Sequence, residues 1–206
     1  MHVLHLNTNS GKMSKSSGEF LTVSLLESKG YDPLAYRFFC LQSHYRKSLV
    51  FTYENLDNAT VAFEKLLGRI AQADPADGEI DADKFNELKK SFTDALDNDL
   101  NTSLAITALY DVLKADTNGA TKLALIEDFD KVLCLDLTAK AAKIREADAL
   151  SNADPELIAK IEGLIAERTA AKKERNFQRA DEIRAELTAM GVILEDTKEG
   201  TKYKLA

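Results

Sequence analysis

Long apolar runs are missing from this 206-residue chain. The longest, such as Val192 to Leu194, cover a few residues, far short of the roughly 20 that cross a bilayer. A secretory leader is missing too. His2 and His5 interrupt the apolar stretch near the start, and the first lysine, Lys12, follows that stretch instead of preceding it. No membrane partner is expected, and a cytoplasmic location is. Cysteine is scarce: Cys40 and Cys134 each fall in an apolar helical pattern and read as buried, reduced thiols. With no paired-cysteine spacing and histidines only at 2, 5 and 44, no zinc site is expected.

What is present fits a folded protein: 45% hydrophobic and 30% charged residues. The net charge of -7 is unevenly placed. Residues 1–50 carry 6 basic and 3 acidic side chains, residues 51–150 carry 11 and 20, and residues 151–206 carry 10 and 11. The acid sits in the middle, so either end can still present a basic face.

His2 to Leu6 reads as a short strand, followed by a polar loop to about Phe20. Thr22 caps a short helix closed by Gly30, and Asp32-Pro33 starts another bearing Leu34, Phe38 and Leu41. Thr52 caps a longer helix striped with Leu56, Phe63, Leu66, Leu67 and Ile70. After a polar break at 74–81, helices are expected around 82–96, 103–114 and 120–134. Their stripes are Phe85/Leu88/Phe92/Leu96, Leu104/Ala108/Leu109/Val112 and Leu125/Ile126/Phe129/Leu133. Such short amphipathic helices must pack on one another, which implies a bundle. Residues 136–153 read as a linker, partly helical at most. Pro155 opens a helix with Leu157, Ile158, Ile161, Leu164 and Ile165, continuing or breaking near Asn176. A stripe of Phe177, Ala180, Ile183, Leu187 and Met190 then ends at Gly191, and Val192 onward forms a β-hairpin.

One loop invites chemistry. Lys12-Met13-Ser14-Lys15-Ser16 lies between Gly11 and Gly18. Glycines allow such a loop to move, and compact lysine charges with serine hydroxyls suit phosphate oxygens. Where pyrophosphate leaves ATP, those lysines stabilise charge that grows in the transition state. From composition alone, a solvated basic loop remains an alternative.

Residue identity adds to this. Lys12-Met13-Ser14-Lys15-Ser16 is the same, letter for letter, as the second signature loop of class I aminoacyl-tRNA synthetases, although Ser17 and Glu19 stand where that family has Leu and Asn. Three further segments resemble cysteinyl-tRNA synthetases: Tyr31-Asp32-Pro33 to Arg37-Phe38-Phe39 with His44-Tyr45-Arg46; Asp97-Asn98-Asp99-Leu100-Asn101-Thr102; and Lys172 to Arg184 with Gly191 and Leu194 to Thr197. The resemblance covers nearly the whole chain, with Tyr203 where the family often has Trp.

The resemblance implies a mainly α chain: a stem-contact region with a short strand, a helical bundle, and a small C-terminal α+β domain ending in a β-hairpin. The expected divisions are 1–58 (end of the catalytic domain, with the loop and stem-contact region), 59–150 (a tRNA-binding bundle) and 151–206 (anticodon recognition). It implies a C-terminal portion of a ligase that joins cysteine to its tRNA using ATP with Mg2+, most simply as a monomer. Lys15 would be the main ATP contact, assisted by Lys12, Ser14 and Ser16. The family's first signature motif and its zinc ligands do not occur in the 206 residues, so the chain alone is expected to be inactive. Candidate tRNA contacts are Arg46, Lys47, Lys172, Lys173, Arg175, Arg179 and Tyr203, the last as a stacking surface on the hairpin. Phe177 is expected in the core, and Asp97 or Asp99 as a cap for the next helix. A free-standing tRNA-binding module is the alternative function.

Overall fold

The computed structural model describes residues 6–8, 11–12, 22–152, 155–197 and 200–205. It is mainly α and forms two compact units, Met1–Ala142 and Lys143–Ala206. The segments 1–58 and most of 59–150 thus lie in one unit.

In the first unit, β1 (Leu6–Thr8) pairs antiparallel with β2 (Gly11–Lys12). Two helices follow, α1 (Val23–Ser28) and α2 (Pro33–Leu41), before β3 (Leu49–Phe51) returns parallel to β1, in the order β2-β1-β3. The bundle helices are α3 (Tyr53–Ala71), α4 (Ala82–Asp97), α5 (Thr102–Lys114) and α6 (Gly119–Leu133). Each begins where a short polar side chain can cap it. Thr22, Asp32 and Thr52 accept from the backbone N–H of Leu25, Leu34 and Asn55 at 3.1, 2.8 and 3.0 Å. Asp81, Asn101 and Asn118 do the same for α4, α5 and α6. Each cap stabilises its helix by about 1 kcal/mol. Gly30 ends α1 at φ 88, where a Cβ would be strained.

Around the sheet, Leu26, Phe39, Phe51, Leu56 and Ala59 are buried, with Leu6, Tyr36, Cys40 and Leu49 packed against them. In the bundle, Phe38 meets Phe63 at 5.3 Å, Phe92 stacks on Phe129 at 4.0 Å, and Leu66, Ile70, Leu109, Leu125 and Ile126 are buried. The α5 stripe is one position short: Leu104 is exposed, in the first turn of α5.

The polar break at 74–81 is fastened to the start of α6. Asp77 accepts from Gly119 N–H at 2.9 Å, Thr121 Oγ1 from Asp81 N–H at 2.9 Å, and Asn118 donates to Glu79 O at 2.7 Å. This explains why Thr121 is buried.

Residues 137–152 are not the expected linker but a helix, α7 (Leu137–Asn152), whose Leu137 and Ala141 are buried. The Asp130 carboxylate accepts from Leu135 and Leu137 N–H at 2.7 and 2.9 Å, closing the turn between α6 and α7. Arg37 Nε donates to Leu133 O at 2.6 Å, and Lys140 reaches Asp32 at 2.6 Å. Weak periodicity hid this helix because its start is held by distant polar partners. Cys134, expected to be buried, is exposed: it sits at the C-cap of α6 with φ 52, so its side chain leaves the helical stripe. Cys40 is half-buried, and burial pushes its thiol pKa up.

The second unit pairs α8 (Pro155–Lys173) with α9 (Phe177–Ala189), then β4 (Val192–Thr197) with β5 (Gly200–Leu205). Asn176 caps α9, and Gly191 turns the chain at φ 75. Ile161, Ile183, Leu187 and Val192 form the core, with Leu157, Leu164, Ile165, Met190, Leu194 and Tyr203 packed on it. Among the described residues no helix is long and apolar enough to cross a membrane.

Two glycines test the packing of the first unit. A Cβ at Gly119 would collide with the Asp74 backbone, whereas one at Gly68, inside α3, would meet nothing within 4 Å. Gly119→Ala should therefore lower stability by about 1–3 kcal/mol. Gly68→Ala should raise it by about 0.5–1 kcal/mol. Urea unfolding of both variants checks the opposite signs.

Candidate nucleic-acid interface

Lys12 lies on β2, opposite Asn7 of β1. Ser14, Lys15 and Ser16 lie outside the described residues. The sheet that carries β2 is tied to the segment before β3, where Asn7 Nδ2 donates to Ser48 Oγ at 2.6 Å.

That segment contains His44-Tyr45-Arg46, and all three side chains converge on one carboxylate. Tyr45 donates to Asp99 Oδ1 at 2.6 Å, and Arg46 Nη2 reaches the same oxygen at 3.0 Å. Arg46 Nε lies 2.7 Å from Asp99 Oδ2 and 2.9 Å from the Tyr45 hydroxyl, while His44 Nε2 stands 3.7 Å from Oδ2. The rings of His44 and Tyr45 stack at 4.8 Å, and the Arg46 guanidinium sits 5.4 Å from the Tyr45 centroid. The hydrogen bond from Tyr45, then the one from Arg46, holds the Asp99 carboxyl below the usual carboxylate range.

The expected capping role of Asp97 and Asp99 is not what the structure shows. Asp97 is the last residue of α4, and Asn101 caps α5. Asp99 and Leu100 lie between them at φ 59 and 52, a left-handed conformation that costs about 1–2 kcal/mol per residue of this kind. Arg46, expected to meet RNA, is paired with Asp99 while its side chain stays 65% exposed. Lys47 is exposed, and its side chain makes no ion pair among the described residues. A cavity of about 470 Å³ opens beside this cluster, with Tyr36, Cys40, Leu49, Leu96 and Leu100 among its walls. Burial pushes the Tyr36 hydroxyl up to about 12.

In the second unit the expected basic cluster separates into two kinds. Lys172 pairs with Asp196 at 2.9 Å, and Arg179 with Glu167 at 2.8 Å and Glu182 at 3.3 Å. Lys173 and Arg175 are exposed and make no ion pair among the described residues, at the turn where Arg175 adopts φ 60. Phe177 is not in the core: it is 62% exposed, two residues beyond Arg175. As the first residue of α9 it precedes the stripe that Ala180, Ile183 and Leu187 bury. Tyr203, expected at the surface, is partly buried on the core, and desolvation raises its hydroxyl pKa. The burial of these two aromatics is thus the reverse of that expected.

Sequence reasoning missed Arg168. It is 3% exposed, and its Nη1 and Nη2 grip the two Asp196 oxygens at 2.9 Å each. Thr201 adds a hydrogen bond to the same carboxylate at 2.8 Å, so β4 and β5 are pinned to α8. Arg168 Nε is buried without a partner among the described residues. The available signal was spacing: Arg168 falls seven residues after Ile161, on the same helical face. Among the described residues, no group of three His, Cys, Asp or Glu could hold a metal ion.

Hydrogen bonds from Arg168 first, then Lys172 and Thr201, depress the Asp196 pKa far below the ordinary range. Asp196 therefore stabilises the second unit above the unfolded carboxylate pKa of about 4, and that contribution fades as pH falls below it. Asp196→Asn should be less stable at pH 7 and show a flatter loss between about pH 4 and 2. Denaturant melts across that range check the sign; parallel curves would oppose it.

Comparison with known proteins follows the same division. Residues 1–61 match a family model described as the tRNA synthetases class I (C) catalytic domain. Residues 154–203 match one described as the cysteinyl-tRNA ligase anticodon binding domain. A cysteine–tRNA ligase of Novosphingobium aromaticivorans is 39% identical over the whole chain, which covers 42% of that relative. Those of Borrelia garinii subsp. bavariensis and Clostridioides difficile are 38% and 34% identical, over 94% and 99% of this chain and 42% and 45% of theirs. The chain thus spans somewhat over two fifths of the length of the curated relatives it matches. With matches from end to end and both family models in this order, the chain belongs to the cysteinyl-tRNA synthetase family and corresponds to its C-terminal portion.

Proposed function

We propose that this chain is the tRNA-facing portion of a ligase that joins cysteine to its tRNA at the expense of ATP. The observation that carries the reading is the α8–α9 turn. There Lys173, Arg175 and Phe177 stand exposed within the segment that matches an anticodon-binding domain. Two cations with no acidic partner among the described residues suit the RNA backbone, and a flat exposed ring at the start of α9 suits an unstacked base. Lys47, in the first unit, is a further backbone contact. Lys172 and Arg179 contribute less, because carboxylates already hold them.

The reaction has two steps. The cysteine carboxylate attacks the α-phosphorus of ATP, pyrophosphate leaves, and a ribose hydroxyl at the tRNA 3′ end then displaces AMP from the adenylate. Lys15, with Lys12, Ser14 and Ser16, would meet charge on the leaving phosphates, and Mg2+ would share it. This chain's own contribution is to bind phosphates through the lysine loop and tRNA through the α8–α9 turn. The zinc ligands that the resemblance implies for choosing cysteine do not occur in the sequence, so the chain alone should bind tRNA without activating cysteine.

Lys173→Glu with Arg175→Glu should weaken tRNA binding and reduce the salt slope by about 0.7–0.9 for each phosphate no longer neutralised. Phe177→Ala should cost about 1–3 kcal/mol with the slope unchanged. Anisotropy titrations of labelled tRNA over a range of KCl read both. Affinity that ignores all three residues would reject the interface. Cysteine-dependent ATP–pyrophosphate exchange by the pure chain would reject its inactivity alone.

A further inference from the structure

We infer that Asp99 is a positioning residue for Lys12, acting through the 44–48 segment and the three-stranded sheet; this rests on the proposed reading of Lys12 as a phosphate contact. The path is continuous and short. Asp99 receives Tyr45 and Arg46, with His44 alongside. Ser48, two residues beyond Arg46, is bonded to Asn7 at 2.6 Å. Val50 of β3 lies opposite Asn7 in the parallel pair, and Lys12 lies opposite Asn7 on its other side. Asn7 therefore stands between the anchored segment and the strand that bears Lys12.

Asp99 has no competing duty in the bundle. Asn101 already caps α5, and Asp99 is not part of the buried core. Yet the turn holds it at φ 59, followed by Leu100 at φ 52, a conformation for which a leucine side chain offers no local compensation. In that conformation its carboxylate is held by Tyr45 and Arg46. Hydrogen bonds within the 44–48 segment are local: Lys47 N–H to His44 O at 2.8 Å, and Arg46 N–H to His44 Nδ1 at 3.2 Å. The strands beside the segment are only two or three residues long, so the contacts that Tyr45 and Arg46 make with Asp99 add a fastening between this side of the sheet and the α4–α5 turn.

The test uses the full chain and hydrogen–deuterium exchange. Asp99→Asn tolerates the same left-handed backbone and still accepts from Tyr45, but removes the charge opposite Arg46. Exchange should accelerate several-fold over residues 6–12 and 49–51, while α4 and α5 keep their protection. Arg46→Met should do the same, and the double variant should add nothing further. Unchanged exchange over 6–12 overturns the inference; so does equal acceleration in α4 and α5, which would make Asp99 a bundle residue.

A second arm separates this from the reading beneath it. Periodate-oxidised ATP, a dialdehyde, forms imines with lysine amines that borohydride traps. Labelling at Lys12 that ATP suppresses, and that slows several-fold in Asp99→Asn, is the expected result. No labelling of Lys12 in the unaltered chain rejects the phosphate reading and the role of Asp99 with it. Labelling that is intact in both proteins rejects the role of Asp99 alone.

Discussion

Helix α2 has to bury two faces at once, and the first unit is arranged around that constraint. Phe38 points into the bundle, where it meets Phe63. Phe39, about 100° further round the helix, points into the cluster around the sheet, where it meets Phe51 edge-on at 6.1 Å. Each ring is worth about 1.5–3 kcal/mol when buried, more than a nine-residue helix could supply from its own hydrogen bonds. Sheet and bundle are therefore joined through a shared hydrophobic element.

Part of the acidic excess of residues 51–150 is structural. Asp77 and Asp81 fasten the 74–81 break, Asp130 closes the α6–α7 turn, and Asp99 gathers His44, Tyr45 and Arg46. Outside that stretch Asp32 and Asp196 do comparable work on Lys140 and Arg168. Carboxylates that accept N–H groups or face cations do not repel a polyanion as free surface charge would. The same pairing decides which cations remain available. Among the described residues, Lys47, Lys173 and Arg175 have no acidic partner, while Arg46, Lys172 and Arg179 are held by acids of this chain.

Features that depend on neighbours a few residues away were legible in the sequence. The capping residues Thr22, Asp32 and Thr52, the glycine stops at 30 and 191, the stripes of α3 and α6 and the closing hairpin all follow from local rules. The family was legible too, because its motifs are short runs of residues. Helix α7 was not, since its start is fixed by Asp130 and Asp32, and periodicity says nothing about such partners. Cys134 and Phe177 were misplaced for a related reason: each sits at a helix end, where the backbone leaves the 3.6-residue repeat.

By itself, the sequence determined that this chain is mainly helical, where most of its helices begin and stop, and to which family it belongs. The helices and their ends are consequences of hydrogen bonds and apolar spacing within one or two helical turns, whereas the family follows from short motifs of residue identity. Only the tertiary structure decided which charges are engaged by acids of the same chain. An ion pair such as Arg46 with Asp99, 53 residues apart, or Arg168 with Asp196, 28 apart, is a property of distance in space. The reversed burial of Phe177 and Tyr203 has the same origin, because burial is set by what packs opposite a side chain and not by the side chain alone.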